Sequence, residues 1–296
     1  MRAEYLPALI RRGAMVAFAC DIEIGKREIP PGALTYRSLQ EIPNGNVGDV
    51  VLATLPHNLY ASTIELLLMR GYRNIVIEKP AALSLDEFKR VSEAIERTTG
   101  NVFVLSRRRF AGSYVALKRL LHKGRTLHAF TINISRTFGK SSYGWRRDPA
   151  VAGKNVLFDL GYHAIDLAFW LFDQPTLVEV TKGPRPEVDG ADGERASIRL
   201  SFLECPTPLD IYVDRMAPSP FEQTTIFTDD QILLCTPLSL VRHTINGGGD
   251  IWYYQSGGEA EKMIDDIESF LRDPTADRST SLYLEHYDHI KIASSF

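Results

Sequence analysis

Apolar positions along the chain follow two different rhythms. Up to Ser106 they gather into short runs rich in Val, Ile and Leu: "AMVAFACD" (14–21), "VGDVVLATLP" (47–56), "NIVIEKP" (74–80) and "NVFVLS" (101–106). Runs of this kind are strands buried on both faces, as in a parallel sheet. Between them the spacing becomes helical, from about Tyr60 to Arg70 and from about Ser84 to Thr98. Gly71 is placed to end the first helix, and Ser84 or Asp86 to cap the second. Strands alternating with helices predict βαβ units and an α/β domain covered on both faces.

Beyond Arg107 the rhythm changes. A helix over 113–123 leads to "HAFTINISRT" (128–137), a strand with partial alternation. After a helical stretch at 155–171 come "ASIRLSF" (196–202), "PLDIYVD" (208–214), "TTIFTDDQILLC" (224–235) and "SLVRHTI" (239–245). Consecutive strands joined by Gly, Pro and Asp turns predict an open, mostly antiparallel sheet, with a hairpin around Asp229-Asp230. "GPRPEVDGADGE" (183–194) reads as an exposed loop. A helix over 258–272 gathers Met263, Ile267, Phe270 and Leu271 on one side, and a last helix over 282–294 closes the chain.

Two stretches carry chemistry. In "NVLFDLGYHAIDLAFWL" (155–171), Asp159, His163 and Asp166 recur at helical spacing beside a buried stripe of Leu160, Ala164, Leu167 and Leu171. Asp159 and His163 form either the acid–base face of a pocket or a core histidine bonded to its own helix neighbour. Asp166 reads as a structural partner or capping contact, and a metal held by all three would lack a fourth ligand. In "DVVLATLPHNLYASTIELLLMRGYRNIVIEKP" (49–80), strands end at Thr54-Leu55-Pro56 and at Glu78-Lys79-Pro80. Both endings lie at the carboxyl edge of a parallel sheet, where ligands bind. Lys79 can polarise an oxygen or move a proton there, or it can simply cap its strand. Pro80 holds Lys79 extended and permits a cis bond.

Composition narrows the partners. The 296 residues are 44% hydrophobic with a formal net charge of −3, enough for two cores and without the basic excess that phosphate backbones demand. No apolar run reaches the roughly 18 residues that span a bilayer. The opening "MRAEYLPALIRRG" lacks signal-peptide character, and three scattered cysteines make no disulfide or zinc framework. The expectation is a cytoplasmic protein acting on a small molecule, with no nucleic-acid or membrane partner.

The run from Asp49 to Pro80, with "EKP" followed by "AALSLDEF", resembles the nucleotide-binding half of the glucose–fructose oxidoreductase, inositol dehydrogenase and rhizopine-catabolism (Gfo/Idh/MocA) family. "WRRDPAVAGKNVLFDLGYHAIDLAFWLF" (145–172) resembles that family's second signature, and "YRSLQEI" (36–42) and the last helix fall in the same order. The resemblance implies that Lys79, Asp159 and His163 surround the substrate carbon, with Trp145, Arg146, Lys154 and Asn155 on the substrate side. It also implies NAD or NADP held by Asp21, Thr54, Pro56, Glu78 and Lys79, and homo-oligomers formed through the C-terminal sheet. Where the family often carries a run of glycines, this chain reads "AGKNVLFD", which implies an altered pocket. "SRRRF" (106–110) resembles the family's link between domains, and Arg107 to Arg109 form either an anion attractor or a solvated basic patch.

No Gly-rich turn precedes Asp21, the acidic residue placed for an adenosine ribose. The glycines belong ~20 residues upstream, and "RAEYLPALIRRG" reads as the helix that follows them. The expected architecture is therefore a Rossmann-like domain over 1–106 lacking its first strand. An α+β domain over 107–296 follows, its last helix packing back on the first. Three functions fit: an oxidoreductase acting on a sugar, cyclitol or imino compound; a nucleotide-independent enzyme of elimination, isomerisation or cyclisation; and a non-catalytic ligand-binding or scaffold protein. The cofactor is accordingly NAD, NADP or none.

Overall fold

A computed structural model describes residues 2–121, 126–137, 148–153, 155–172, 175–182, 195–202 and 205–295. The N-terminal part runs α1 (Arg2–Arg11), β1 (Phe18–Cys20), β2 (Leu34–Tyr36), β3 (Val50–Ala53), α2 (Tyr60–Met69), β4 (Asn74–Glu78), α3 (Leu85–Thr98) and β5 (Asn101–Leu105). There follow α4 (Gly112–Leu121), β6 (Leu127–Thr137), α5 (Pro149–Ala152), α6 (Leu160–Phe172), β7 (Leu177–Lys182), β8 (Arg195–Phe202) and β9 (Cys205–Asp214). The chain ends with β10 (Met216–Thr228), β11 (Gln231–Thr236), β12 (Ser239–Thr244), β13 (Gly249–Tyr253), α7 (Glu259–Arg272), β14 (Ser281–Leu282) and α8 (Tyr287–Ser294).

β3, β4 and β5 pair in parallel, and β14 adds an antiparallel edge to β5. β1 and β2 form a separate parallel pair. In a Rossmann order the first strand would lie between β1 and β3, and among the described residues no strand occupies that place. β4 is buried over four of its five residues because helices cover both its faces. Ser84 caps α3 by accepting from the Glu87 amide, and Gly71 follows α2 at φ +91°.

The second sheet has the order β13-β12-β11-β10-β6-β9-β8-β7, with β6–β9 its parallel pair and the other neighbours antiparallel. Alternating residues Phe130, Ile132 and Ile134 of β6 and Leu209, Ile211 and Val213 of β9 are buried on the face that α6 covers. Most of α6 is buried around its full circumference, which explains a helix so apolar. The two sheets are joined by a 3-10 turn at Arg107–Phe110. The C-terminal elements return to the first sheet. α7 packs on α1, where Arg12 pairs with Asp265 at 2.7 Å, and α8 packs on α3. Tyr283 stacks on Phe88 with centroids 4.9 Å apart.

Several local features differ from the sequence reading. β2, β7 and β13 are additional strands, short or exposed, whose pairing rather than their composition creates them. The helix expected from 155 begins later: Val156–Phe158 form a 3-10 turn, and α6 starts at Leu160. The helix expected to reach 123 is described to Leu121, and the loop expected over 183–194 lies outside the described residues.

Candidate functional site

The carboxyl ends of β3 and β4 face the amino end of α6. Asn155 shapes that end: its Oδ1 accepts from the Leu157 amide at 2.8 Å, and its Nδ2 donates to the Ala293 carbonyl at 3.1 Å. Both ends of the amide serve the backbone, so Asn155 is a buried cap that shapes the start of α6. Gly153 precedes it at φ +102°, and a Cβ there would stand 2.6 Å from the Phe158 Cβ. Asp159 then sits at the junction of the 3-10 turn and α6, at φ −106° and ψ −80°. It is therefore not on the regular helix face that its spacing implied.

Lys79, just past β4, comes to meet Asp159. Its Nζ donates to the Asp159 carbonyl at 2.8 Å and to Oδ1 at 2.9 Å. The Lys79–Pro80 bond is cis. The other carboxylate oxygen, Oδ2, lies 3.5 Å from Arg215 between β9 and β10. Burial by itself would raise the Asp159 carboxyl, but Lys79 and Arg215 outweigh it and hold the group well below the usual carboxylate range. His57, just after β3, is buried, with Nδ1 3.2 Å from the Ala152 carbonyl, and its charge also bears on Asp159.

His163, one turn into α6, is partly exposed and makes no hydrogen bond among the described residues. Burial of much of the ring, followed by the fields of Arg108, Lys79, Arg136 and Arg107, pushes its pKa well below the ordinary histidine value. It is a neutral imidazole able to accept a proton. Asp166 is elsewhere. Arg109 holds it in a two-point pair at 3.0 and 2.6 Å, and His289 Nε2 lies 3.5 Å away. Asp166, His286 and His289 are close enough to gather a cation. However, Arg109 already supplies the positive charge, and both nitrogens of His286 are engaged by Tyr162 and Ser281. The triplet of Asp159, His163 and Asp166 is thus divided between two clusters.

Arg107, Arg108 and Arg109 do not form a solvated patch. Arg107 reaches Glu259 at 3.5 Å, Arg108 makes a two-point pair with buried Glu222 at 2.6 Å, and Arg109 takes Asp166. Arg136 also donates to Glu222, at 3.0 Å, and the Tyr114 hydroxyl donates to it at 3.2 Å. Sequence reasoning missed His57, Arg136, Arg215 and Glu222. His57 alone carried a local signal, since it directly follows a strand ending at the ligand-binding edge. The others are distant in sequence and meet only when β6, β9 and β10 align.

Of the nucleotide candidates, Thr54 is exposed at the end of β3, Pro56 opens the turn after it, and Glu78 ends β4. Burial raises the Glu78 carboxyl above its ordinary value. Asp21 follows β1, where Oδ1 accepts from the Glu23 amide at 2.8 Å and Oδ2 pairs with Arg27 at 2.9 Å. Trp145, Arg146 and Lys154 lie outside the described residues. A hollow of about 600 Å³, lined by Arg73, Asn74, Asn101 and Glu268, opens at the opposite amino edge of β4 and β5, away from Lys79.

Residues 8–106 match the oxidoreductase family described by its NAD-binding Rossmann fold, and residues 114–213 match the GFO/IDH/MocA C-terminal domain. The scyllo-inositol 2-dehydrogenase (NADP(+)) of Bacillus subtilis is 25% identical over 155 residues, 52% of this chain and 42% of that protein. Matches to three curated relatives span between 41% and 54% of their lengths. An oxidoreductase from Thermotoga maritima superposes with a TM-score of 0.80 at 16% identity, covering 100% of this chain and 92% of that one. The WlbA dehydrogenase from Bordetella pertussis, solved with NADH and UDP-GlcNAcA, gives 0.73 at 18% identity, covering 98% and 92%. At these identities the likeness is one of fold.

Proposed function

The chain belongs to the Gfo/Idh/MocA oxidoreductase family, and on that premise we propose that it oxidises a secondary hydroxyl of a sugar or cyclitol, or reduces the matching carbonyl. One observation carries this reading: the Lys79 ammonium is held by both the carbonyl and the carboxylate of Asp159, four positions before a neutral, accessible His163. His163 accepts the hydroxyl proton as the carbon is oxidised. An ammonium has three donors, and Asp159 takes two, so the third is available to the developing alkoxide. Asp159 orients the lysine and stays ionised because Lys79 and then Arg215 outweigh its burial.

The donors near β1 suit the adenosine end of a dinucleotide, and among the described residues no Gly-rich turn is placed for its pyrophosphate. Asp21 offers a carboxylate for a ribose hydroxyl, its partner Arg27 a guanidinium for a 2′-phosphate, and Thr54 and Glu78 line the approach. When bound, the nicotinamide supplies or accepts the hydride. Both NAD and NADP are compatible with an Asp21–Arg27 pair.

Calorimetry with NAD(H) and NADP(H), and nicotinamide absorbance during turnover of a polyol panel, test the proposal. Lys79→Ala and His163→Ala are each expected to lower kcat about 100- to 10,000-fold while nucleotide affinity changes little. A folded protein that binds neither nucleotide would sink the dehydrogenase reading. Nucleotide-free turnover abolished by the same substitutions would establish an acid–base enzyme instead.

A further inference from the structure

Two bonds join the exit of β4 to the opening turns of α6. In one, the Lys79 ammonium donates to the carbonyl and carboxylate of Asp159. In the other, the Ala81 amide donates to the Tyr162 hydroxyl at 3.2 Å. The pairing of β4 with β5 ends at Glu78 opposite Leu105, one residue before the lysine. Pro80 has no N–H, so Ala81 supplies the first backbone donor after Lys79. The backbone that carries the lysine is thus fixed on one side by the sheet and on the other by Tyr162.

Tyr162 is itself held in place. It is fully buried, and its ring stacks on His286 with centroids 5.7 Å apart. Its hydroxyl lies 2.8 Å from His286 Nδ1, and His286 Nε2 lies 2.7 Å from the Ser281 hydroxyl. That hydroxyl in turn reaches the Val104 carbonyl of β5 at 3.4 Å. An amide only donates and a carbonyl only accepts, so the two ends set every hydrogen between them. Ser281 donates to Val104, His286 to Ser281, Tyr162 to His286 Nδ1 and Ala81 to Tyr162. His286 is therefore the neutral Nε2–H tautomer, in keeping with the burial that lowers its pKa. A chain closed by fixed groups at both ends relays no proton. What it supplies is position.

We infer that Tyr162 is a positioning residue: its hydroxyl, oriented by His286, fixes the exit of β4 so that Lys79 stays seated on Asp159. The seating is a property of the protein alone, while its effect on rate rests on the oxidoreductase reading proposed above. Without the hydroxyl, the buried Ala81 amide and His286 Nδ1 lose their partners. The exit of β4 then shifts to satisfy the amide elsewhere, and a displacement of about 1 Å costs as much as 100-fold in rate.

Tyr162→Phe removes one oxygen and keeps the ring, and a thermal melt verifies its fold. Acetic anhydride labelling of Lys79, read by peptide mass, reports the seating without any substrate. Lys79 is 8% exposed, and its labelling is expected to rise about five-fold or more in Tyr162→Phe. For a polyol that the native protein turns over, kcat should fall about 10- to 100-fold while KM changes less than about two-fold. In a Lys79→Ala background the same substitution should cost less than about two-fold, because the group it positions is gone. His286→Asn keeps an acceptor for the Tyr162 hydroxyl and should stay close to the native protein, whereas His286→Leu should follow Tyr162→Phe. That second pair carries the test if Tyr162→Phe does not fold. Unchanged Lys79 labelling in a folded Tyr162→Phe, or a rate loss that persists in full without Lys79, overturns the positioning role. Raised labelling in a protein that turns over no polyol upholds the role and removes the oxidoreductase reading. Turnover of a polyol with labelling and kcat insensitive to Tyr162 does the reverse.

Discussion

A lysine ammonium withdrawn from water must find oxygen partners, and Lys79 finds two on one residue, Asp159. That economy leaves its third donor unspent on Asp159 and ties the end of β4 to the start of α6. His163 contributes the complementary property, a ring whose burial and cationic neighbours keep it neutral. The acid limb of the kcat/KM profile is accordingly expected below pH 6.5, histidine's ordinary value, and a limb at or above that value would remove His163 as the base. Gly153 makes a separate demand. Its φ of +102° and the 2.6 Å approach to Phe158 exclude a Cβ without movement. Gly153→Ala should cost about 1–3 kcal/mol in urea unfolding and lower activity by shifting Asp159. The lysine was legible in sequence because Glu-Lys-Pro ends a strand. The glycine's role was not, since it depends on where Phe158 folds back.

At the scale of elements, α6 is the helix on which both clusters converge. Its first turn faces Lys79, while Asp166 farther along meets Arg109 from the 3-10 turn and His289 from α8. Tyr162 adds a directional chain: the Ala81 amide donates to its hydroxyl, which donates to His286 Nδ1, and His286 Nε2 donates to Ser281. Three segments distant in sequence are thus held together beside Lys79. Asp166→Ala strands Arg109 in a buried setting and should cost about 3–5 kcal/mol by denaturant unfolding. The paired change Arg109→Met with Asp166→Leu should cost far less, because no charge is then left without its partner. The run Arg107 to Arg109 illustrates the limit of local reading. Three adjacent arginines look like one patch in sequence, yet a 3-10 turn sends them to Glu259, Glu222 and Asp166.

Across the whole molecule, the C-terminal segments close over the first sheet and bury His286 and His289 as neutral rings. Burial lowers both from the ordinary 6.5, and for His289 Asp166 offsets this only in part. The unfolded chain takes up protons below about pH 6.5 that the folded protein refuses, so stability is full above that pH and falls beneath it. Each ring contributes a loss that steepens toward a limit of about 1.4 kcal/mol per pH unit as the pH falls below 6.5. Urea midpoints should therefore be level above pH 7 and decline from 6.5 to 5.5, with His289→Gln flattening the decline. By itself the sequence determined the α/β and antiparallel halves, the helices and most strands, and it singled out Lys79, Asp159 and His163 as candidates. Those are properties of local periodicity and of side-chain types at strand ends. Only the tertiary structure decided that Asp166 serves a different cluster, that Asn155 is a cap, and that Arg108 and Arg136 share Glu222. Each of those depends on strand register and on contacts between segments far apart in the chain, which no local pattern encodes.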